Sequence, residues 1–186
     1  AYIVSGLRSP VTKAKKGGLR FVRPDDLAAT VIKNLVEKTE GLEGQMVDDL
    51  IVGNAVPEAE QGMQMARYIS LLSLPKEVPG LIINRYCGSG LEAIHLACAK
   101  INSGSADCVI AGGTESMSMV PMTGYKSALN YSISKNNPEY YLNMGLTAEK
   151  LALQYEISRE ESYFFSLNSW LLKGRCFFSK VKSVFL

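Results

Sequence analysis

Between Val78 and Gly104 an apolar run, a glycine-rich turn and an amphipathic run follow one another directly, and that order confines the chain to a few α/β arrangements. Leu81-Ile82-Ile83, between Pro79-Gly80 and the turn, reads as a buried strand within 78–84. Leu91, Ile94, Cys98 and Ile101 recur at helical spacing over 91–103, and Gly104 closes the helix. The alternation extends along the chain. Residues 2–7 read as an opening strand, and Pro24-Asp25-Asp26 starts a helix with Leu27, Val31, Ile32, Leu35 and Val36 on one face. Leu50-Ile51-Val52 marks a strand within 47–56, 61–74 reads as a helix, and 106–111 as a further strand leading into Gly112-Gly113. The expected fold is α/β, a three-layered core around a mainly parallel sheet.

Past Ser116 the texture changes. Residues 117–144 are rich in Ser, Asn, Tyr, Gly and Met and read as a loop-dominated insertion. Two helices are expected after it, over 147–155 and after the capping box Ser158-Arg159-Glu160-Glu161. From Trp170 onward bulky apolar and basic residues alternate around Gly174 without a sustained period, so order is expected to end at Ser169. The texture divides the chain into an α/β core over 1–116, a loop-and-helix segment over 117–169, and a divergent tail over 170–186.

Composition removes several function classes. Four cysteines without a C-x-x-C pair and a single histidine give neither a metal-ligand spacing nor a disulfide framework. There is no signal-like start and no apolar stretch of spanning length, so a cytoplasmic or organelle-matrix location is expected, with no membrane partner. The net charge of +2 belongs to the tail: four of the basic residues and no acidic one lie in 170–186, leaving 1–169 slightly acidic. No nucleic-acid partner is expected. The basic stretch Lys13, Lys15, Lys16, Arg20 and Arg23 around Gly17-Gly18 reads as a solvated loop.

Cys87 is the residue with chemical promise. It stands where the strand gives way to the helix, and unpaired N–H groups at a helix N-terminus favour a thiolate over a thiol. That help is worth about 0.3–1 kcal/mol, up to ~2 when partly buried, so a working nucleophile also needs a base or a cationic partner. His95 is eight residues further along the same helix, about 12 Å along its axis, and cannot serve. Other readings of the turn remain open. Gly88-Ser89-Gly90-Leu91-Glu92-Ala93 fits the G-x-G-x-x-A dinucleotide fingerprint of an NAD(P)-dependent oxidoreductase, although Asn84-Arg85-Tyr86-Cys87 interrupts the apolar approach. A hydrolase elbow would need glycine where Arg85 stands. A buried structural thiol beside a tight turn is the plain alternative.

Asn84-Arg85-Tyr86-Cys87-Gly88-Ser89-Gly90, Ile101-Asn102-Ser103-Gly104 and Ala111-Gly112-Gly113-Thr114-Glu115-Ser116-Met117-Ser118, in this order and at these separations, resemble the amino-terminal half of the thiolases. Arg8-Ser9-Pro10, Gly53-Asn54 and Met144-Gly145-Leu146-Thr147-Ala148-Glu149 are similar to further family motifs. With Pro57-Glu58-Ala59-Glu60-Gln61-Gly62, they point to the bacterial 3-ketoacyl-CoA thiolase or acetyl-CoA acyltransferase branch. The resemblance covers residues 1–169.

It implies a thiolase-like layered α/β core followed by the start of a helical loop domain. It implies an acyltransferase with Cys87 as the acyl-carrying nucleophile in thiolysis of a 3-ketoacyl-CoA or the reverse condensation, in fatty-acid or acetoacetyl-CoA metabolism. Met144 matches a position lining the acyl and pantetheine pocket, and Asn143 stands where many thiolases have histidine. Coenzyme A and acyl-CoA enter as substrates, with no further cofactor or metal, and full-length members form homodimers or homotetramers. The family's G-H-P histidine and C-x-G cysteine have no counterpart here, and Cys98 and Cys108 read as core thiols. The expectation is a truncated or frame-disrupted form, weakly active, or else a non-catalytic fragment.

Overall fold

The computed structural model describes residues 1–176, which divide into two compact units after Lys126. The first is built on three parallel strands, β1 (Asp49–Gly53), β2 (Gly80–Ile83) and β3 (Val109–Gly113), in the order β2-β1-β3. Ile51 lies opposite Leu81 on one side and Ala111 on the other. Helices α1 (Pro24–Lys38), α2 (Met65–Ser73) and α3 (Ser89–Asn102) complete this unit.

The period of β1 divides the core. Leu50 and Val52 point to one face, where Ala29 and Ile32 of α1 pack with Met65, Ala66 and Ile69 of α2. Ile51 points to the other, where it meets Ala93 and Ala97 of α3. Covered on both faces and paired on both edges, every residue of β1 is buried, as a central parallel strand requires. Its one charged member, Asp49, is buried in an ion pair with Lys100 from the last turn of α3. The layered α/β reading of the sequence therefore holds.

Two local expectations in the first unit need correction. Residues 2–7 form no strand; Tyr2 is 94% and Val4 84% exposed. A strand requires a ladder partner, and the segment runs along one wall of a cavity of about 510 Å3 whose other walls include α1, α3 and β3. The helix read over 61–74 is split. A 3-10 turn spans Ala59–Gln61, Met63 and Gln64 take positive φ (51° and 56°), and α2 begins only at Met65. The break places the Gln64 side chain where its oxygen accepts the Ile82 N–H at 3.1 Å, on the open edge of β2. Glycine is required at Gly80, because a Cβ there would lie 2.4 Å from the Ala66 carbonyl oxygen of α2.

The second unit contains α4 (Tyr131–Asn136), a 3-10 turn (Pro138–Tyr141), α5 (Met144–Gln154) and α6 (Arg159–Cys176). None of residues 127–171 is buried. The capping box before α6 forms as read: the Ser158 hydroxyl accepts the Glu161 N–H at 3.2 Å, and the Glu161 carboxylate accepts the Ser158 N–H at 2.7 Å. Order continues past Ser169 to Cys176, since no proline intervenes and a single helical glycine costs only about 1 kcal/mol. The remainder of the 170–186 tail lies outside the described residues. Among the described residues no helix is long and apolar enough to cross a membrane.

Candidate active site

Parallel strands bring their carboxyl ends together at one edge of the sheet, the usual place for a site in α/β folds. Here Asn54, Asn84 and Thr114 follow directly on β1, β2 and β3. The Asn54 N–H donates to the Ile83 carbonyl at 3.1 Å, and the Thr114 N–H to the Gly53 carbonyl at 3.2 Å. Asn54 is buried, and its Nδ2 donates to the Thr114 carbonyl at 2.9 Å, while its Oδ1 has no protein partner.

Cys87 lies on the turn from β2 into α3. The helix starts at Ser89 with Gly88 as its N-cap, two residues earlier than its apolar periodicity indicates, so the thiol stands immediately before the cap. No side chain caps α3, which leaves its first-turn N–H groups facing the thiol's end of the helix. Cys87 itself is exposed. The turn is tightly fixed. Tyr86 takes φ 47°, a left-handed conformation that costs a non-glycine residue on the order of 1–2 kcal/mol.

Surrounding hydrogen bonds hold that conformation. Asn84 Oδ1 accepts the Tyr86 N–H at 2.8 Å. The buried Ser89 hydroxyl accepts the Arg85 N–H at 2.9 Å and donates to the Tyr86 carbonyl at 2.5 Å. The Gly88 and Ser89 N–H groups donate to the Arg85 and Tyr86 carbonyls, each at 3.0 Å. Arg85 also pairs with Glu92, one turn into α3, at 2.9 Å. The helix start rests directly on β1: a Cβ on Gly53 would lie 2.4 Å from the Ser89 carbonyl carbon and 2.6 Å from Gly90 N.

The other thiols differ. Cys108 is half-buried, and burial first, then the Asp48 carboxylate, pushes its pKa above the ordinary thiol value. Cys108 packs against the core as read, whereas Cys98, half-buried on α3, lines the cavity beside residues 1–9 and belongs to neither core cluster. His95 is exposed on α3, on the order of 12 Å along the axis from Cys87. Among the described residues no three His, Cys, Asp or Glu side chains gather as a metal site.

Met144, the second residue singled out from the sequence, lies in the second unit as the first residue of α5, with its side chain exposed. Asn143 before it is that helix's N-cap, and its Oδ1 accepts the Leu146 N–H at 2.9 Å.

Sequence reasoning gave no roles to Asn54, Gln61, Asn84 and Glu115, which tie the turn to its surroundings. Their partners lie up to 60 residues away, beyond the reach of local patterns. Flanking motifs were the only signal.

The chain matches the family described as "Thiolase, N-terminal domain" over residues 1–173. It is 52% identical over 170 residues to a 3-ketoacyl-CoA thiolase of Bacillus subtilis (strain 168), covering 91% of this chain and 43% of that protein. Proteins of the same name from Escherichia coli O139:H28 and Psychrobacter cryohalolentis are 38% and 40% identical over 168 residues, covering 90% of this chain and 43% of each. The chain thus spans less than half the length of these relatives. The strand, the cysteine turn and the glycine-headed helix sit within the matched span, and the chain belongs to the thiolase family.

Proposed function

We propose that this protein works as an acyl-CoA acyltransferase, with Cys87 as the residue that carries the acyl group. The observation that carries the reading is an exposed thiol on a rigid turn at an uncapped helix N-terminus, in a chain similar to proteins named 3-ketoacyl-CoA thiolase. In the thiolysis direction the Cys87 sulfur attacks the 3-keto carbon of a 3-ketoacyl-CoA. The bond between carbons 2 and 3 breaks, and its electron pair leaves on acetyl-CoA, which takes up a proton. The thiol of a second coenzyme A then attacks the Cys87 thioester and removes the acyl group. Sulfur suits both steps, being a strong nucleophile and a good leaving group.

Coenzyme A and its acyl thioesters are the substrates in this reading, and Met144, exposed at the start of α5, is assigned a substrate contact on its motif alone. The 186 residues contain one histidine, and it is remote from Cys87, so in this reading the proton transfers fall to a group other than His95. Incubation with a 3-ketoacyl-CoA followed by peptide mass spectrometry tests the assignment. An acyl adduct on Cys87 that disappears on adding coenzyme A, and that a Cys87→Ser chain never forms, is the expected result. An adduct that forms but does not turn over limits this chain to the first half-reaction. No adduct at Cys87 removes the acyl-carrier role.

A further inference from the structure

A carboxylate remote in sequence is hydrogen-bonded into the loop that adjoins the Cys87 turn. Glu115 follows β3 by two residues, and its two oxygens accept from two different donors: Oε2 from the Ala55 N–H at 2.7 Å, and Oε1 from the Gln61 side-chain amide at 2.6 Å. Gln61 is fully buried, and its remaining capacity is used on backbone. Its Nε2 also donates to the Val56 carbonyl at 2.8 Å, and its Oε1 accepts the Ser116 N–H at 2.6 Å. Glu115 and Gln61 together therefore lock the loop after β1 to the loop after β3.

That lock continues to the nucleophile turn through one side chain. The carbonyl of Ala55, whose N–H is held by Glu115, accepts Asn84 Nδ2 at 3.0 Å. The Oδ1 of the same Asn84 accepts the N–H of Tyr86, the residue held at positive φ directly before Cys87. We infer that Glu115 is a positioning residue for Cys87, acting through Ala55 and Asn84 to hold the Tyr86 conformation that keeps the thiol at the head of α3. The role rests on Cys87 being the reacting thiol, and it concerns geometry alone.

Glu115→Gln is a stringent probe because it conserves volume. A carboxylate offers two acceptor oxygens to two donors, whereas an amide offers one oxygen and turns an NH2 group toward the other donor. The strained turn then loses its support and relaxes, carrying the thiol away from the helix N-terminus. Asn84→Asp cuts the same relay at a second, exposed point: it keeps the acceptor for Tyr86 and loses the donor to Ala55.

The test is the rate of iodoacetamide alkylation at each cysteine of the full chain at neutral pH, resolved by peptide mass spectrometry. Cys98 and Cys108 serve as internal reporters of folding. Glu115→Gln and Asn84→Asp are each expected to slow Cys87 at least fivefold without accelerating Cys98 or Cys108. Glu115→Asp, which keeps both oxygens, is expected to recover part of the rate. The double variant should be no slower than Asn84→Asp alone, because both changes break one relay. Unchanged Cys87 rates, multiplying effects in the double variant, or parallel acceleration of all three thiols would each overturn the assignment. Alkylation requires no acyl-CoA, so the outcome is independent of whether Cys87 proves to be an acyl carrier.

Discussion

Thiol chemistry in this protein is sorted by environment. Cys87 is exposed on a turn that meets an uncapped helix N-terminus, whereas Cys108 is half-buried and faces the Asp48 carboxylate. Burial and a neighbouring negative charge both disfavour the thiolate, which is the reactive form. At pH 8, iodoacetamide is therefore expected to label Cys87 at least tenfold faster than Cys108, read from peptide masses over time. Equal rates would mean that the turn gives Cys87 no advantage. The structure places Cys87 exposed on the turn before α3, and the motif around it singled out this thiol from sequence. Neither the positive φ of Tyr86 nor the hydrogen bond from Asn84 to Ala55 was readable there, because each depends on a loop brought in by the sheet.

The elements were legible wherever burial repeated with a clear period. Helix α1 announced itself through Pro24 and its apolar face, and β1 through Leu50-Ile51-Val52. Residues 2–7 carry a strand-like pattern and still form no strand, since a ladder needs an available neighbour and sequence pattern does not supply one. The junction of β1 with α3 is similar: nothing local reveals that Gly53 must lack a side chain, yet a Cβ there would meet backbone of Ser89 and Gly90 that cannot move aside. Gly53→Ala is expected to destabilise the first unit by about 1–3 kcal/mol, the usual cost of overpacking a well-filled core. Gly90→Ala, in the first turn of α3 with nothing within 4 Å of its would-be Cβ, is the matched control. It is expected to be neutral or to stabilise by roughly 0.4–1 kcal/mol. Urea titration of the two variants, with backbone amides of β1 as reporters, checks the contrast. Equal losses would place the close approach elsewhere.

At the scale of the whole molecule, all buried residues among those described lie in the first unit, and residues 127–171 contain none. The single tryptophan, Trp170, is exposed in the second unit, so its fluorescence does not report on the core. Calorimetry does, and it gives access to one electrostatic contribution to the sheet. The Asp48 carboxylate accepts the Asp107 N–H at 2.7 Å and the Cys108 N–H at 3.0 Å, joining the residue before β1 to the approach to β3. These bonds, the one from Cys108 being the larger influence, lower its pKa below the ordinary carboxylate value. A carboxyl group with a depressed folded-state pKa binds protons more readily when unfolded. Its stabilisation is complete above the unfolded value of about 3.9 and is lost as pH falls through the lower folded value. The melting temperature of the unaltered chain should therefore hold between pH 7 and about 5 with respect to this group, then fall below pH ~4. Asp48→Asn removes the titrating group, and its curve should start lower at pH 7 and converge on that of the unaltered chain in acid. Parallel curves from pH 7 to 3 would mean that the Asp48 link contributes nothing to holding the sheet together.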